Sequence, residues 1–396
     1  MEGGEGLNSI PLIQTKLMIP AIKNTDIRRA KLTKKLKAIP QHPLTIVHAG
    51  AGYGKSTSLA LYVTDEKYNC CWYSISATDE DVLPFLSYLV ASIRTVIPEF
   101  GIELETYINE MDRYIGEQEL NVLCSMFINE VLSKKREILI IFDDFHQIEQ
   151  SFTVNRWMEI LLEHIPANLH LVIISRSRPL WKPITKMKAE GSILEVTKDD
   201  LVLSQEEVEL MLNENFGMTL PQTELNRVYQ LTEGWVIALG MIAGQNQDYD
   251  QISGGFRQHS RSLNDLFQYL AMEVFGNQAP EIKQFLEETS ILEEMTEEVC
   301  NAVLGISNSK SLLEQLSHNN LFIQKISDKQ YRYHALFREF LEEQLRTNQQ
   351  KNFHLLQERA ARFFEENNYF NPRIRNKVQE LLEFYLYRRH LPKPSN

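Results

Sequence analysis

The residues best placed to do chemistry lie in one short stretch, AGAGYGKST: Ala49, Gly50, Ala51, Gly52, Tyr53, Gly54, Lys55, Ser56 and Thr57. Glycines at 50, 52 and 54 let the backbone curl until its amide N–H groups point inward at anionic oxygens, with the positive end of a following helix behind them. In such a loop Lys55 would reach the β- and γ-phosphates of a nucleotide, and the Ser56 hydroxyl would ligate Mg²⁺. The general pattern asks for glycine six residues before the lysine; here Ala49 holds that place and Gly50 follows it. A glycine-rich loop alone can be only a tight turn. This one joins the apolar run LTIVH to Lys-Ser-Thr at a helix start, the context a phosphate-binding loop requires.

Two further apolar runs deliver charged groups. ILIIF ends in Asp143 and Asp144, and carboxylates at the C-terminal end of a buried strand stand at the edge where open α/β sheets bind ligands. Asp143 would hold Mg²⁺, directly or through water, and Asp144 would orient or deprotonate an attacking water. HLVIIS ends in Ser175 and Arg176, whose fork of donors suits a γ-phosphate; its plainer reading is a surface arginine beside Arg178.

The elements that must position these groups follow from the pattern of residues 44–176. Short apolar runs without polar alternation (LTIVHA, CCWYSIS, ILIIF, HLVIIS) alternate with helical patterns near 84–97 and 120–133 and from Lys55, which predicts a parallel sheet wrapped by helices. After Leu201 helices dominate. Ser204 and Glu207 predict a capping box at SQEE, Gly217 a helix end, and further helices are expected over 222–231, 235–243, 263–275, 281–290, 297–304 and 311–317. GQNQDYDQISGG, residues 244–255, reads as a flexible linker. LFIQKI, a polar SDKQ turn and YRYH predict a hairpin, followed by the helix ALFREFLEEQL: a winged-helix order. From about Lys351 a last helix sets Leu356, Ala360, Phe363 and Phe364 on one face, and the tail over 371–396 reads as an apolar-basic packing or dimerisation helix.

Composition narrows the function classes. The 396 residues suffice for several domains, and the net charge of −12 disfavours broad adhesion to nucleic acid or anionic lipid. Within residues 263–346, 14 Asp or Glu face 7 Lys or Arg, a net of −7, which makes the winged helix a poor reader of DNA phosphates. The run at 138–142 is far shorter than the ~20 apolar residues of a membrane-spanning helix, and the Gly- and Glu-rich start resembles no leader peptide, so a cytoplasmic protein is expected. Cys70, Cys71, Cys124 and Cys300 lack metal-ligand spacing and read as reduced core residues.

The order of motifs resembles the MalT-like, LuxR-type large ATP-binding regulators, a branch of the STAND signalling ATPases among the AAA+ relatives. The phrases IQTKLMIP…RRAKL, AGAGYGKST, IIFDDFHQI, LVIISRSRP, LVLSQEEVELML, LTEGWVIAL, YRYHALFREFL and ERAARFFEENN carry it, from Leu12 to Phe364. The resemblance implies an N-terminal arm over 1–40, an α/β P-loop nucleotide-binding domain over 41–200, an all-α helical domain over 201–260, a winged helix over 261–350 and the start of a helical-repeat arm over 351–396. It also implies a resting form with ADP and an active, self-associating form with ATP and inducer, reset by slow hydrolysis. Arg29 falls where the arm of such proteins lines the nucleotide pocket, and His334 where the winged helix meets ADP phosphates. In TEGWVIAL, Val236 replaces a proline that many relatives set near the base. Full-length relatives continue into a sensor superhelix and a DNA-binding helix-turn-helix, so a switch core or shortened regulator is expected here. Two alternatives stand beside it: a non-catalytic nucleotide-binding module pairing with a full-length regulator, and a mechanical AAA+ ring, for which no pore loop is evident.

Overall fold

The four apolar runs become the interior of one parallel sheet. β1 (Leu44–His48), β2 (Cys70–Ser74), β3 (Ile138–Asp143) and β4 (Leu169–Ser175) are almost wholly buried. A fifth strand, β5 (Ile193–Val196), completes the order β2-β3-β4-β1-β5. Unbroken apolar strands need cover on both faces, and parallel pairing needs crossover helices between them. The register sets Ser74 beside Asp143 and His48 beside Ser175, so the C-terminal ends of β1 to β4 finish at one edge. β5 was not read from the sequence: it is four residues long and mostly half-buried, too short for a periodicity signal.

A computed structural model describes residues 12–23, 26–110, 115–244, 275–276, 278–318 and 322–367. The chain divides into two units, Met1–Gly217 and Met218–Asn396. In the first, α1 (Ala30–Leu36) packs on α2 (Lys55–Asp65), which opens directly from the glycine loop. α3 (Val82–Arg94), α5 (Glu117–Ser133) and α6 (Phe152–Glu163) bring Phe85, Phe127 and Trp157 into an aromatic core that stacks on Phe142 of β3, with α4 (Ile102–Glu110) packed on α5. Burying such rings, at about 25 cal/mol per Å² of apolar area, is what holds β3 and its acidic end in place. α7 (Lys182–Ala189), α8 (Lys198–Leu201) and α9 (Gln205–Leu210) follow. The capping box at Ser204 and Glu207 is present; α9 runs into a π-helical turn, Met211–Asn215, and Gly217 follows at φ 64°. The unit boundary thus falls within the stretch expected to be one helical domain over 201–260.

In the second unit α10 (Gln222–Thr232) and α11 (Val236–Gly244) precede the winged-helix order: α12 (Pro280–Thr289), α13 (Glu297–Leu304), α14 (Ser309–His318), the antiparallel hairpin β6 (Ile323–Ser327) and β7 (Gln330–Tyr333), and α15 (Ala335–Asn348). Met295 bridges Tyr331, adding a one-residue third strand to the wing. α16 (Gln350–Glu366) buries Leu356, Ala360 and Phe364 of the expected stripe, with Phe353 and Ala361 in addition, while Phe363 is only half-buried. The linker expected over 244–255, the helix expected over 263–275 and the tail over 371–396 fall, but for Gly244 and Phe275, outside the described residues.

Candidate functional site

The loop between β1 and α2 takes the form its glycines permit. Gly52 and Gly54 both sit at φ 74°, a left-handed conformation that costs a residue with a Cβ roughly 1 kcal/mol or more, and Gly54 is the N-cap of α2. Gly50 is not among the positive-φ residues, so two of the three glycines make the curl. Lys55 is folded inward, its Nζ donating to the carbonyls of Ala49 at 2.8 Å and Gly50 at 2.9 Å. Burial, reinforced by the charge of Arg176, lowers the Lys55 ammonium to about 8 against the pull of Asp144 and Asp143. Tyr53 is buried, with the Lys198 ammonium 5.5 Å from its ring centroid.

The parallel register brings the second strand's acids to this loop. The Ser56 hydroxyl donates to Asp143 Oδ1 at 2.7 Å, joining residues 87 positions apart. Burial first, then the neighbouring Asp144 carboxylate, push the Asp143 carboxyl up to about 6, against the bonds from Ser56 and the Asp144 amide and the charge of Lys55. Such a buried carboxylate, short of positive charge and touching a loop hydroxyl, fits a Mg²⁺ ion, which takes one or two protein oxygens and completes its shell with phosphate and water. Among the described residues no cluster of three or more His, Cys, Asp or Glu could form an all-protein metal cage.

Asp144 is different from its neighbour. It sits at φ 58°, one of few non-glycine residues in the left-handed region, and its side chain is half exposed. The carboxylate therefore stands half exposed at the C-terminal end of β3. Arg176 follows β4 directly and lies within electrostatic reach of both Lys55 and His146.

His146 was not singled out from the sequence. The 3₁₀ turn Phe145–Ile148 brings its Nδ1 to 3.8 Å from Asp144 Oδ1. Burial, and then the charges of Arg176 and Lys55, push the imidazole down to about 3, so it is neutral at physiological pH. Both ring nitrogens are buried without a hydrogen-bond partner among the described residues. An uncompensated buried polar group costs about 1–3 kcal/mol; His146 is set apart from the other such groups by having both ring nitrogens unpartnered beside Asp144. The only signal in the sequence was position, two residues past Asp144 in DDFHQI.

The two residues suggested by resemblance sit in well-made surroundings of their own. Arg29 gives Nε and Nη2 to Glu207 at 2.9 Å each and binds the Leu201 and Val202 carbonyls at 2.8 Å, so its donor fork clamps the arm to the start of α9. His334 belongs to the second unit, fully buried, with Nε2 2.9 Å from the Thr232 carbonyl and its ring 5.4 Å from Trp235. Val236 opens α11 there. All four cysteines are free and buried, and among the described residues no helix is long and apolar enough to cross a membrane.

A five-stranded parallel sheet with this loop at the switch edge is the fold of the P-loop NTPases. The Walker-type ATPase of Pyrococcus abyssi shares it, with a TM-score of 0.53 and 15% identity over 81% of this chain and 99% of that one. The family model of the MalT winged helix domain matches residues 271–353. The HTH-type transcriptional regulator MalT of Yersinia pestis is 28% identical over 334 residues, 83% of this chain and 36% of that protein. The serine/threonine-protein kinase PknK of Mycobacterium tuberculosis is 28% identical over 357 residues, 88% of this chain and 31% of that protein. The chain thus spans about a third of the length of these curated relatives. Its sheet is thus that of the P-loop NTPases, its winged helix matches the MalT model, and most of its length is similar to these regulators.

Proposed function

We propose that this chain is the nucleotide-operated core of a MalT-like signal-transduction switch, which binds ATP or ADP with Mg²⁺ and hydrolyses ATP slowly to reset itself. The observation that carries the reading is the convergence of Lys55, the Ser56–Asp143 pair, Asp144, His146 and Arg176 at one edge of the sheet, from loops after three different strands.

In this reading the amides of residues 50–57 cradle the phosphates, with Gly50, Ala51, Gly52, Tyr53, Gly54 and Thr57 lining them. Lys55 leaves its loop carbonyls for β- and γ-phosphate oxygens. Ser56 and Asp143 would hold Mg²⁺, which supplies neutralisation of the charge that gathers on the phosphates. Asp144 orients a water and takes its proton as the water oxygen attacks the γ-phosphorus; the bond to the β–γ bridging oxygen breaks and ADP leaves with that electron pair. Arg176 holds the γ-phosphate, and the neutral His146 steadies the Asp144 carboxylate or the water. Swinging a switch from 1:99 to 99:1 takes about 5.5 kcal/mol of differential affinity, within reach of one phosphate held by several charges. Arg29 and His334 remain candidates for further nucleotide contact. The ATP form would self-associate or pair with a full-length homologue in the cytoplasm, a compartment that fits the four free cysteines.

The test is to release and identify any nucleotide from the purified chain and to compare its ATP turnover with Lys55→Ala. Bound ADP and slow turnover lost in the variant are expected. Binding without turnover, unchanged in Asp144→Asn, would replace the proposal with a non-catalytic interaction module. No binding of ATP with Mg²⁺ at all would overturn it.

A further inference from the structure

Asp144 and Arg176 leave the sheet on separate strands, yet the loops that carry them are fastened together at two places. Ser177, buried next to Arg176, donates its hydroxyl to the Glu149 carboxylate at the far end of the Asp144 loop. Trp181, five residues past Arg176, is buried edge-to-face against Phe145, with centroids 5.1 Å apart and planes at 88°. Its Nε1 donates to Asn155 Oδ1 at 2.7 Å, and the Asn155 amide in turn donates to the Glu149 and Ser151 carbonyls at 2.8 and 2.6 Å. Phe145 is bonded covalently to Asp144 and packs on Phe142 of β3, 6.4 Å between centroids. The left-handed turn at Asp144 is therefore held from one side by β3 and from the other by the loop of Arg176.

We propose that Ser177 and Trp181 are positioning residues that make Arg176 and Asp144 move as one body, so that a γ-phosphate gripped by the arginine sets the carboxylate that orients the water. The proposal rests on the nucleotide-switch reading above. It assigns a physical route for sensing the third phosphate: an arginine pulled by its ligand drags Trp181, the indole bears on Phe145, and Phe145 turns Asp144. An indole is suited to this because it offers a rigid plane and one donor, so displacement is transmitted with little rotamer loss. A general packing role would need neither the Ser177–Glu149 bond nor the indole N–H.

Two conservative variants separate these roles. Ser177→Ala removes the hydroxyl, and Trp181→Phe keeps a ring against Phe145 while losing the donor. In both, kcat should fall roughly ten- to a hundred-fold, the usual cost of a small misplacement, while affinity for a non-hydrolysable ATP analogue with Mg²⁺ stays within about two-fold. Unchanged kcat, or kcat, affinity and melting temperature falling together, would overturn the proposal. Amide hydrogen exchange on the nucleotide-free protein tests the mechanical link itself. Trp181→Phe should raise exchange in residues 145–149 of the other loop, and unaltered exchange there would overturn the link even if the wild type proves a good ATPase. A wild type that shows the exchange coupling but binds no nucleotide would instead condemn the switch reading and leave the stitch as structure only, ending its role as a sensor. The chain holds four tryptophans, so the wild-type minus Trp181→Phe emission isolates one. That difference should change with the ATP analogue and not with ADP; an equal response to both would sink the proposal.

Discussion

The two ends of the central sheet treat a buried histidine in opposite ways. At the N-terminal end of β4, His170 is satisfied on both ring nitrogens, Nδ1 2.9 Å from the His42 carbonyl and Nε2 2.8 Å from the Glu137 carboxylate. At the C-terminal edge, His146 is as well hidden but has neither nitrogen bonded among the described residues, and its neighbours Lys55 and Arg176 repel its proton. The N-terminal end spends its polar groups on holding strands together. The C-terminal edge keeps an ammonium pushed down, a carboxyl pushed up and an imidazole unsatisfied, a set of groups whose best partners lie outside the polypeptide.

The sharpest way to break this contrast is Asp144→Asn. It should lower kcat by about 10²- to 10⁴-fold, as loss of a positioned base does, with analogue affinity retained in titration. Next comes Lys55→Met in the nucleotide-free protein. The folded-state value of about 8 lies below the ordinary 10.5, so the stability linked to this group is complete above 10.5 and is lost as pH falls through 8. Relative to the variant, the wild type should therefore lose ~3 kcal/mol of stability as pH falls from 10.5 to below 8, at about 1.36 kcal/mol per unit, on top of a pH-independent offset from the lost bonds to the Ala49 and Gly50 carbonyls. Urea denaturation at pH 7 and 9.5 measures it; a difference between wild type and variant that is the same at both pH values would contradict the account of the edge. His170→Ala should cost about 1–3 kcal/mol because it strands the His42 carbonyl and empties a buried ring site, the exposed Glu137 carboxylate turning to water, yet leave turnover per folded molecule intact. The smallest effect is on stability in His146→Ala, expected below about 1 kcal/mol because no hydrogen bond is lost, although its kcat should drop. Equal stability losses at His146 and His170 would erase the contrast.

How far the sequence could be read depended on how local each feature is. The Ser204–Glu207 box was legible because both partners lie in one turn, but Glu207's second bond, to Arg29, spans 178 residues and had no local signature. The same holds for Ser177 with Glu149 and Trp181 with Phe145, ordinary loop residues until β3 and β4 pair. The winged helix was legible from its order of helices and hairpin, whereas the Met295–Tyr331 bridge, a single residue with no run around it, was not.

By itself the sequence determined the phosphate loop, the buried strands and the acids at the end of β3. Glycine conformations, helix starts and apolar runs are fixed by neighbours in the chain. Only the tertiary structure decided that β1 inserts between β4 and β5, that the Ser56 hydroxyl meets Asp143, and that His146 is buried with no hydrogen-bond partner among the described residues. Those outcomes rest on strand order and register, and these are settled by hydrogen bonds and burial summed over residues far apart in the chain.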